Sequence, residues 1–215
     1  MKNNRVFFTF LLLSLSGVFI WSFIDPRNRL IWFLDASPAI IALILLLLTY
    51  HRFPCTRLAY VLIWAFAVMV LIGAHYTYSQ VPLFDWLRDT LSHKRNNFDR
   101  LIHFTQGFVP AIVAREILLR KTPLLPGKML FFLAVSVCLA ASAFVEVIEW
   151  WAAVLTSSGR DAFLGFQGDR WDTQKDMFLC FLGSIVSQLL LVRIHNRQLR
   201  RLADASLLLK MQTKH

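Results

Sequence analysis

The residues best suited to chemistry are acids and a histidine set within or beside apolar segments. Asp99 and His103 are four residues apart, so a helix puts them on one face, with Gln106 and Gly107 one turn deeper. A carboxylate so placed can orient an imidazole for proton transfer or metal ligation. The alternative is an Asp that interacts favourably with the helix dipole beside an ordinary polar His. The pair alone leaves both interpretations open.

Two glutamates, Glu146 and Glu149, are three residues apart in the apolar stretch 144–155. Neighbouring carboxylates repel one another in a low dielectric medium, so we expect a bound cation, an arginine or a shared proton between them. The structural alternative is that they pair with Arg100 or Arg170 and only hold helices together.

A third polar group lies in the segment 167–176, QGDRWDTQKD. A helix that begins near Asp172 has Asp172 and Asp176 on one face, and Asp169 can approach from the preceding turn. Oxygen ligands spaced in this way suit a hard cation. The alternative is a solvated turn that caps the helix, with Trp171 as an interfacial aromatic residue.

These groups define a candidate site in which a divalent cation polarises a phosphoryl oxygen or activates water. The hypothesis requires His103, Glu149 and Asp172 to lie close together. The candidate catalytic residues are Asp99, His103 and Glu149, with His103 as general acid or base. The candidate substrate-binding residues are Arg100, Gln106, Gln167, Arg170 and Trp171. The candidate cation ligands are Glu146, Glu149, Asp169, Asp172 and Asp176.

Membrane spans are the elements that carry these residues. Hydrophobic residues make up 57% of the 215, too large a share for an ordinary soluble domain. A helix needs ~20 mostly apolar residues to cross the hydrocarbon, and continuous apolar runs exclude the alternation of a β-barrel. The sequence therefore predicts an all-α, polytopic transmembrane bundle in a single domain, residues 1–215. Its six predicted spans are 6–24, 31–50, 57–78, 100–118, 128–155 and 176–194.

The distribution of charge predicts the orientation of the bundle. More of the Lys and Arg residues fall on the side that holds both termini, which favours termini in the cytoplasm. The candidate site residues then converge at the outer ends of the spans. Although the net charge of +10 could suggest nucleic acid, the basic residues are spread over short loops, so we expect no nucleic-acid partner. The connection 79–97 is predicted to be an interfacial helix or a solvated loop, and 197–215 an amphipathic tail.

At these residues the chain resembles the YjdF family of uncharacterised bacterial inner-membrane proteins. The resemblance is carried by NNFDRLIHFTQG (96–107), SAFVEVIEWW (142–151) and LGFQGDRWDTQKDM (164–177). More distantly, the order of Asp99, Arg100 and His103, then acids in the next two spans, resembles VanZ-like membrane proteins. Arg100 stands where that family carries Lys. The resemblance implies a multi-pass protein of the bacterial inner membrane with a role in the cell envelope, and it implies no particular reaction.

Three classes of function fit this pattern. The leading hypothesis is that the chain binds or modifies a lipid-linked or amphiphilic envelope molecule at an outward-facing polar pocket, with membrane lipid as its surroundings. A proton- or cation-coupled transporter is the second, although the inner halves of the spans offer little beyond Gln188 and Arg115–Glu116, expected to be a local structural pair. The third is a non-catalytic scaffold whose acids and arginines hold the helices together.

Overall fold

The computed structural model describes residues 2–155 and 167–212, and every regular element in these ranges is helical. Six long helices and one short helix, with a single turn of 3-10 helix at Tyr78–Gln80, make up this part of the chain. The predicted all-α fold is confirmed. The helices are α1 (Lys2–Phe23), α2 (Arg29–Thr49), α3 (Arg57–Tyr76), α4 (Pro82–Thr90), α5 (Phe98–Lys121), α6 (Lys128–Leu155) and α7 (Asp172–Gln212).

Five of the long helices, α1, α2, α3, α6 and α7, are long and apolar enough to cross a membrane. The sixth, α5, corresponds to the predicted span 100–118 but carries more charge. It packs against α7 most extensively, and also against α6 and α3, so its polar groups are enclosed by other helices rather than by lipid. Its buried charged residues and histidine are Asp99, His103, Arg115 and Glu116.

Contacts between the helix ends define two faces of the bundle. The Arg57 guanidinium lies 5.4 Å from the centroid of the Phe7 ring, and Glu116 bonds to both Thr56 and His195. The start of α1, the α2–α3 loop, the end of α5 and the second half of α7 therefore meet at one face, which we call the terminal face. The predicted placement of both termini on one side agrees with these contacts.

The opposite end of the bundle, which we call the pocket face, carries the connection between α3 and α5. Helix α3 ends at Tyr76, because Thr77 takes a positive φ of 57° that does not continue a helix. The connection 79–97 contains a helix, α4, whose exposed Leu83 and Trp86 lie beside the ion pair of Asp85 and Arg88. Its placement in the membrane interface stays a prediction.

Helices α5 and α7 approach each other at two glycines. A Cβ added to Gly107 would lie 1.8 Å from the carbonyl oxygen of Cys180, and one added to Gly183 would lie 2.0 Å from that of Phe104. Each glycine thus contacts the backbone of the other helix, the close approach that small residues permit in membrane bundles. These contacts fix how far α7 can slide along α5, and so they set the register of the polar residues on both helices.

We expect Gly107→Ala to destabilise the protein, since the added methyl group meets backbone that cannot rotate away. Overfilling a well-packed site costs ~1–3 kcal/mol, which would lower the midpoint of thermal unfolding of the detergent-purified protein. Gly127→Ala is the matched control, because its added Cβ meets nothing within 4 Å. Equal midpoints for the two variants would contradict the described packing.

Candidate functional site

A small cavity on the pocket face collects polar side chains from α5, α6 and α7. Its volume is about 70 Å³. Since a water molecule needs ~10–15 Å³ by this measure, the cavity has room for a few waters or one ion with part of its shell, and not for a lipid headgroup. The three residues required by the sequence hypothesis are all present. The lining residues are Asp99, His103, Glu146, Glu149, Trp150, Asp172, Thr173 and Asp176.

The geometry around His103 follows from helix spacing and from the packing of α5. Asp99 lies in the first turn of α5 and His103 one turn later, and both are buried. Asp99 Oδ1 lies 3.5 Å from His103 Nε2, while the other ring nitrogen lies 3.8 Å from Glu146 Oε1. The imidazole is therefore held between two carboxylates, as an acid, a base or a metal ligand would be.

Three of the lining residues could share one ion. Asp99, His103 and Asp176 each offer a ligand atom, and these atoms all lie within 4.8 Å of one another. Ligands that each lie ~2.0–2.6 Å from an ion are at most ~5 Å apart, so the three fit one coordination shell. Of these three residues, Asp176 was a predicted cation ligand, whereas Asp99 and His103 were predicted to be catalytic.

Arg95 is the principal residue of the site that sequence reasoning missed. Its side chain is 7% exposed; it bonds to Asp172, and its Nη2 lies 3.3 Å from Asp99 Oδ2. The available signal was its position four residues before Asp99, the same spacing that links Asp99 to His103. Arg95 precedes the helix, however, and the path of a loop cannot be read from residue spacing.

Tyr78 and Asp35 extend the polar region toward α2. The Tyr78 hydroxyl donates a hydrogen bond to the backbone carbonyl oxygen of Asp35 at 3.3 Å. Burial, together with the negative charges of Asp35 and Glu149, raises the pKa of the Tyr78 phenol, which therefore stays protonated. Asp35 in turn interacts electrostatically with Asp99 and Glu149, so a fourth helix contributes an acid near the cavity.

Several buried polar atoms of the lining lack a hydrogen-bond partner within the described part of the chain. They are His103 Nδ1, Glu146 Oε1, Asp172 Oδ2 and Asp176 Oδ1. Buried polar atoms are paired in the great majority of cases, and an unpaired one costs ~1–3 kcal/mol. Their concentration around one cavity indicates that a proton, a water molecule or an ion supplies the missing interactions.

Asp169 lies at the rim of the cavity rather than inside it. Its Oδ2 accepts hydrogen bonds from Lys175 and from Arg100, the latter at 2.7 Å. The hydrogen bond from Lys175 and that from the Trp171 backbone N–H hold the pKa of the Asp169 carboxyl below its usual value. The positive charges of Lys175 and Arg100 act in the same direction. Asp169 is ionised and already paired with two cations, which does not fit its predicted role as a cation ligand.

The remaining predicted substrate-binding residues lie outside the lining of the cavity. Gln167 exchanges two hydrogen bonds with the backbone of Asn96 and so joins two loops. Arg170 is exposed, with its guanidinium 6.0 Å from the centroid of the exposed Trp171 ring. Gln106 is half-buried one turn deeper along α5. A ligand that extends past the rim could contact Arg170 and Trp171, but it would not reach Gln106.

A second polar cluster lies at the terminal face, where Arg115 and Glu116 are joined through His195 rather than as the expected local pair. Glu116 accepts hydrogen bonds from the Thr56 hydroxyl at 2.8 Å and from Arg120 at 2.8 Å. His195 Nδ1 lies 2.8 Å from Arg115 Nη1, and its Nε2 lies 3.1 Å from Glu116 Oε2. Because arginine only donates, Nδ1 accepts and Nε2–H donates, so the imidazole is neutral.

The two clusters differ in whether their hydrogen bonds are satisfied. Arg115 also donates to Asn196 at 2.6 Å, and the unpartnered buried atoms found in the described ranges include none from Arg115, Glu116 or His195. The terminal-face cluster therefore serves to join α3, α5 and α7. The pocket face, with its unpartnered atoms, is the better candidate for a functional site.

Comparison with known proteins agrees with this membrane architecture. Residues 7–197, which include every residue that lines the cavity, match the family described as predicted membrane protein, DUF2238. The chain belongs to this family. It is 46% identical over 189 residues to inner membrane protein YjdF of Escherichia coli strain K12, an alignment that covers 88% of this chain and 90% of that protein. No solved structure matches the chain.

The resemblance to YjdF is thus confirmed, and with it the assignment to the inner membrane as a multi-pass protein. The name of that relative states a location and no activity, so it leaves the function of the family open. The more distant resemblance to VanZ-like proteins stays a prediction. The cavity is therefore the feature of the molecule from which a function can be inferred.

We expect Glu116→Ala to destabilise the protein strongly, because it leaves the Thr56 donors and His195 Nε2–H buried without an acceptor. Removing one member of a buried ionic network costs ~3–5 kcal/mol, to be measured by unfolding of the detergent-purified protein. Asp204→Ala, at an exposed acid of α7, is the control and should change stability by less than ~0.5 kcal/mol. A similar effect of the two substitutions would rule out the joining role.

Proposed function

We propose that this inner-membrane protein binds a divalent cation in the cavity of the pocket face. Through that ion it holds the phosphate of a lipid-linked or amphiphilic envelope molecule at the outer leaflet. The observation that carries the proposal is the set of four buried polar atoms without partners around one small cavity. Such atoms are costly unless a ligand completes their interactions.

The balance of charge supports a cation as that ligand. Five carboxylates line the cavity, and Arg95 pairs with two of them, Asp99 and Asp172. Removing such an excess of negative charge from water is expensive unless protons or cations balance it. The mixed set of Asp99, His103 and Asp176 suits Mn²⁺ or Zn²⁺ better than Ca²⁺, which prefers oxygen ligands alone.

The size of the cavity and the residues at its rim support a ligand that lies mostly outside it. At about 70 Å³ the cavity can accommodate an ion and one or two ligand oxygens, but not a whole headgroup. Arg100 and Lys175 lie beside it at Asp169, and the exposed Trp150 forms part of its wall. An amphiphilic phosphate ester would contact such cations with its phosphate and the aromatic residue with its apolar part.

The same constellation could act on the phosphate as well as bind it. A cation held by the carboxylates of Asp99 and Asp176 would polarise a phosphoryl oxygen. In that case His103, between Asp99 and Glu146, would be left to donate or accept a proton instead of binding the ion. Binding is the part that the unpartnered atoms support directly. Hydrolysis of a bound ester would be a further property of the same residues.

The packing beneath the cavity argues against the transport alternative. Ala111, Cys138 and Cys180 form a buried cluster deeper along α5, α6 and α7. At the same level the backbones of α5 and α7 touch at Gly107. A polar path from the cavity to the terminal face would have to pass through this tightly packed, mostly apolar layer.

We expect the chelator-treated, detergent-purified protein to bind one equivalent of Mn²⁺ or Zn²⁺ in calorimetric titration. Asp176→Asn should weaken the affinity by at least ~10-fold, because even indirect support of a metal is worth ~10–100-fold. The same loss should appear in metal-dependent binding of a phosphate-bearing amphiphile. Asp204→Asn removes an equal charge from an exposed position on the same helix and should leave both affinities unchanged.

Two outcomes would count against the proposal. Equal titrations for the unaltered protein and Asp176→Asn would show that the cation does not bind in this cavity. Binding of the amphiphile that survives complete chelation would show that the phosphate is held without a metal, by the rim residues alone.

A further inference from the structure

Helix α7 continues well beyond the membrane on the terminal face. Its 41 residues span ~60 Å at ~1.5 Å per residue, about twice the ~30 Å of hydrocarbon. Four exposed arginines follow one another at helical spacing along its second half, so they form a single basic stripe. They are Arg193, Arg197, Arg200 and Arg201.

A groove lies beneath this part of α7, between it, the end of α5 and the neighbouring loops. Its volume is about 610 Å³. The side chains of Leu119, Leu199 and Leu202 give it an apolar wall, while Arg120 and Arg200 give it a basic one. The groove is thus amphipathic, with positive charge on its polar side.

The depth of the groove places it where lipid headgroups meet hydrocarbon. Leu189, Leu190 and Ile194, large apolar residues of α7, are exposed one to three turns before Arg200, as expected for surfaces that face acyl chains. Arginines that follow such a surface on the cytoplasmic side attract anionic phospholipid. A groove that crosses this boundary can take the phosphate at one wall and the first carbons of the acyl chains at the other.

One of the two arginines is held in place before any lipid arrives. Arg120 donates hydrogen bonds to the Pro54 carbonyl oxygen at 2.7 Å and to Glu116 at 2.8 Å, and its guanidinium lies 3.8 Å from the centroid of the Phe53 ring. Since Glu116 offsets part of its charge, Arg120 is a fixed donor on the wall of the groove. Arg200 is exposed and supplies the charge that selects an anion.

We propose that this groove binds one anionic phospholipid of the cytoplasmic leaflet. Its phosphate lies against Arg200 and Arg120, and its acyl chains begin against Leu119, Leu199 and Leu202. This site is separate from the cavity of the pocket face and does not depend on the function proposed for it. The complementary charge and the apolar wall together favour a phospholipid over a free phosphate ion, which would leave the leucines uncovered.

The test is native mass spectrometry of the full-length protein with phosphatidylglycerol or phosphatidylethanolamine of identical acyl chains. We expect one phosphatidylglycerol to be retained in preference to phosphatidylethanolamine. Arg200→Gln should reduce its retention roughly fivefold, the loss expected for one lipid-facing arginine. Arg201→Gln is the matched control, because that arginine is exposed one residue further along the stripe and does not line the groove. It should retain the lipid as the unaltered protein does.

A second variant tests the groove without changing charge. Ala203→Phe adds bulk at a residue that lines the groove and should also reduce retention of phosphatidylglycerol, with an unchanged midpoint of thermal unfolding. Equal losses in Arg200→Gln and Arg201→Gln would overturn the proposal in favour of general attraction to the basic stripe. Equal retention of the two lipids, or no loss in Arg200→Gln, would overturn it as well.

Discussion

Carboxylates that cannot reach bulk water must be balanced within the protein, and the pocket face is organised around this constraint. Helices α5, α6 and α7 each contribute acids to the lining of one cavity, and α2 brings Asp35 close to it. Arg95 enters from a loop to pair with Asp99 and Asp172, while His103 lies between Asp99 and Glu146. The remaining charge and the unpartnered atoms are the reason to assign a ligand to this end of the molecule.

The helices could be predicted from sequence because their apolar runs are long and continuous. Their ends depend instead on amphipathic continuation and on the local backbone conformation. The last predicted membrane span ends at residue 194, and the helix that contains it, α7, continues to Gln212 through the segment predicted as an amphipathic tail. Hydropathy falls after residue 194 although helical periodicity does not, so hydropathy marks the end of the span and not the end of the helix. Helix α3 stops at Tyr76 because of the conformation of Thr77, which composition does not reveal.

The candidate site was predictable to the extent that helix spacing determines it. His103 and Asp99 share a face by simple periodicity, and the apolar surroundings of Glu146 marked it as unusual. Arg95 and the rim position of Asp169 depend on loops, whose course follows from tertiary contacts such as the bonds between Gln167 and Asn96. The terminal-face cluster was missed because Glu116 and His195 are 79 residues apart in the chain. The two clusters and the glycine contacts between them fix α5 against α7 at several heights, which keeps His103 opposite Asp176.

The uninterrupted course of α7 has a mechanical consequence. One end of this helix supplies Asp172 and Asp176 to the cavity, and its distant portion forms a wall of the basic groove. Because α7 is held against α5 at Gly107 and Gly183, the spacing between the cavity and the groove is set by one continuous length of helical backbone.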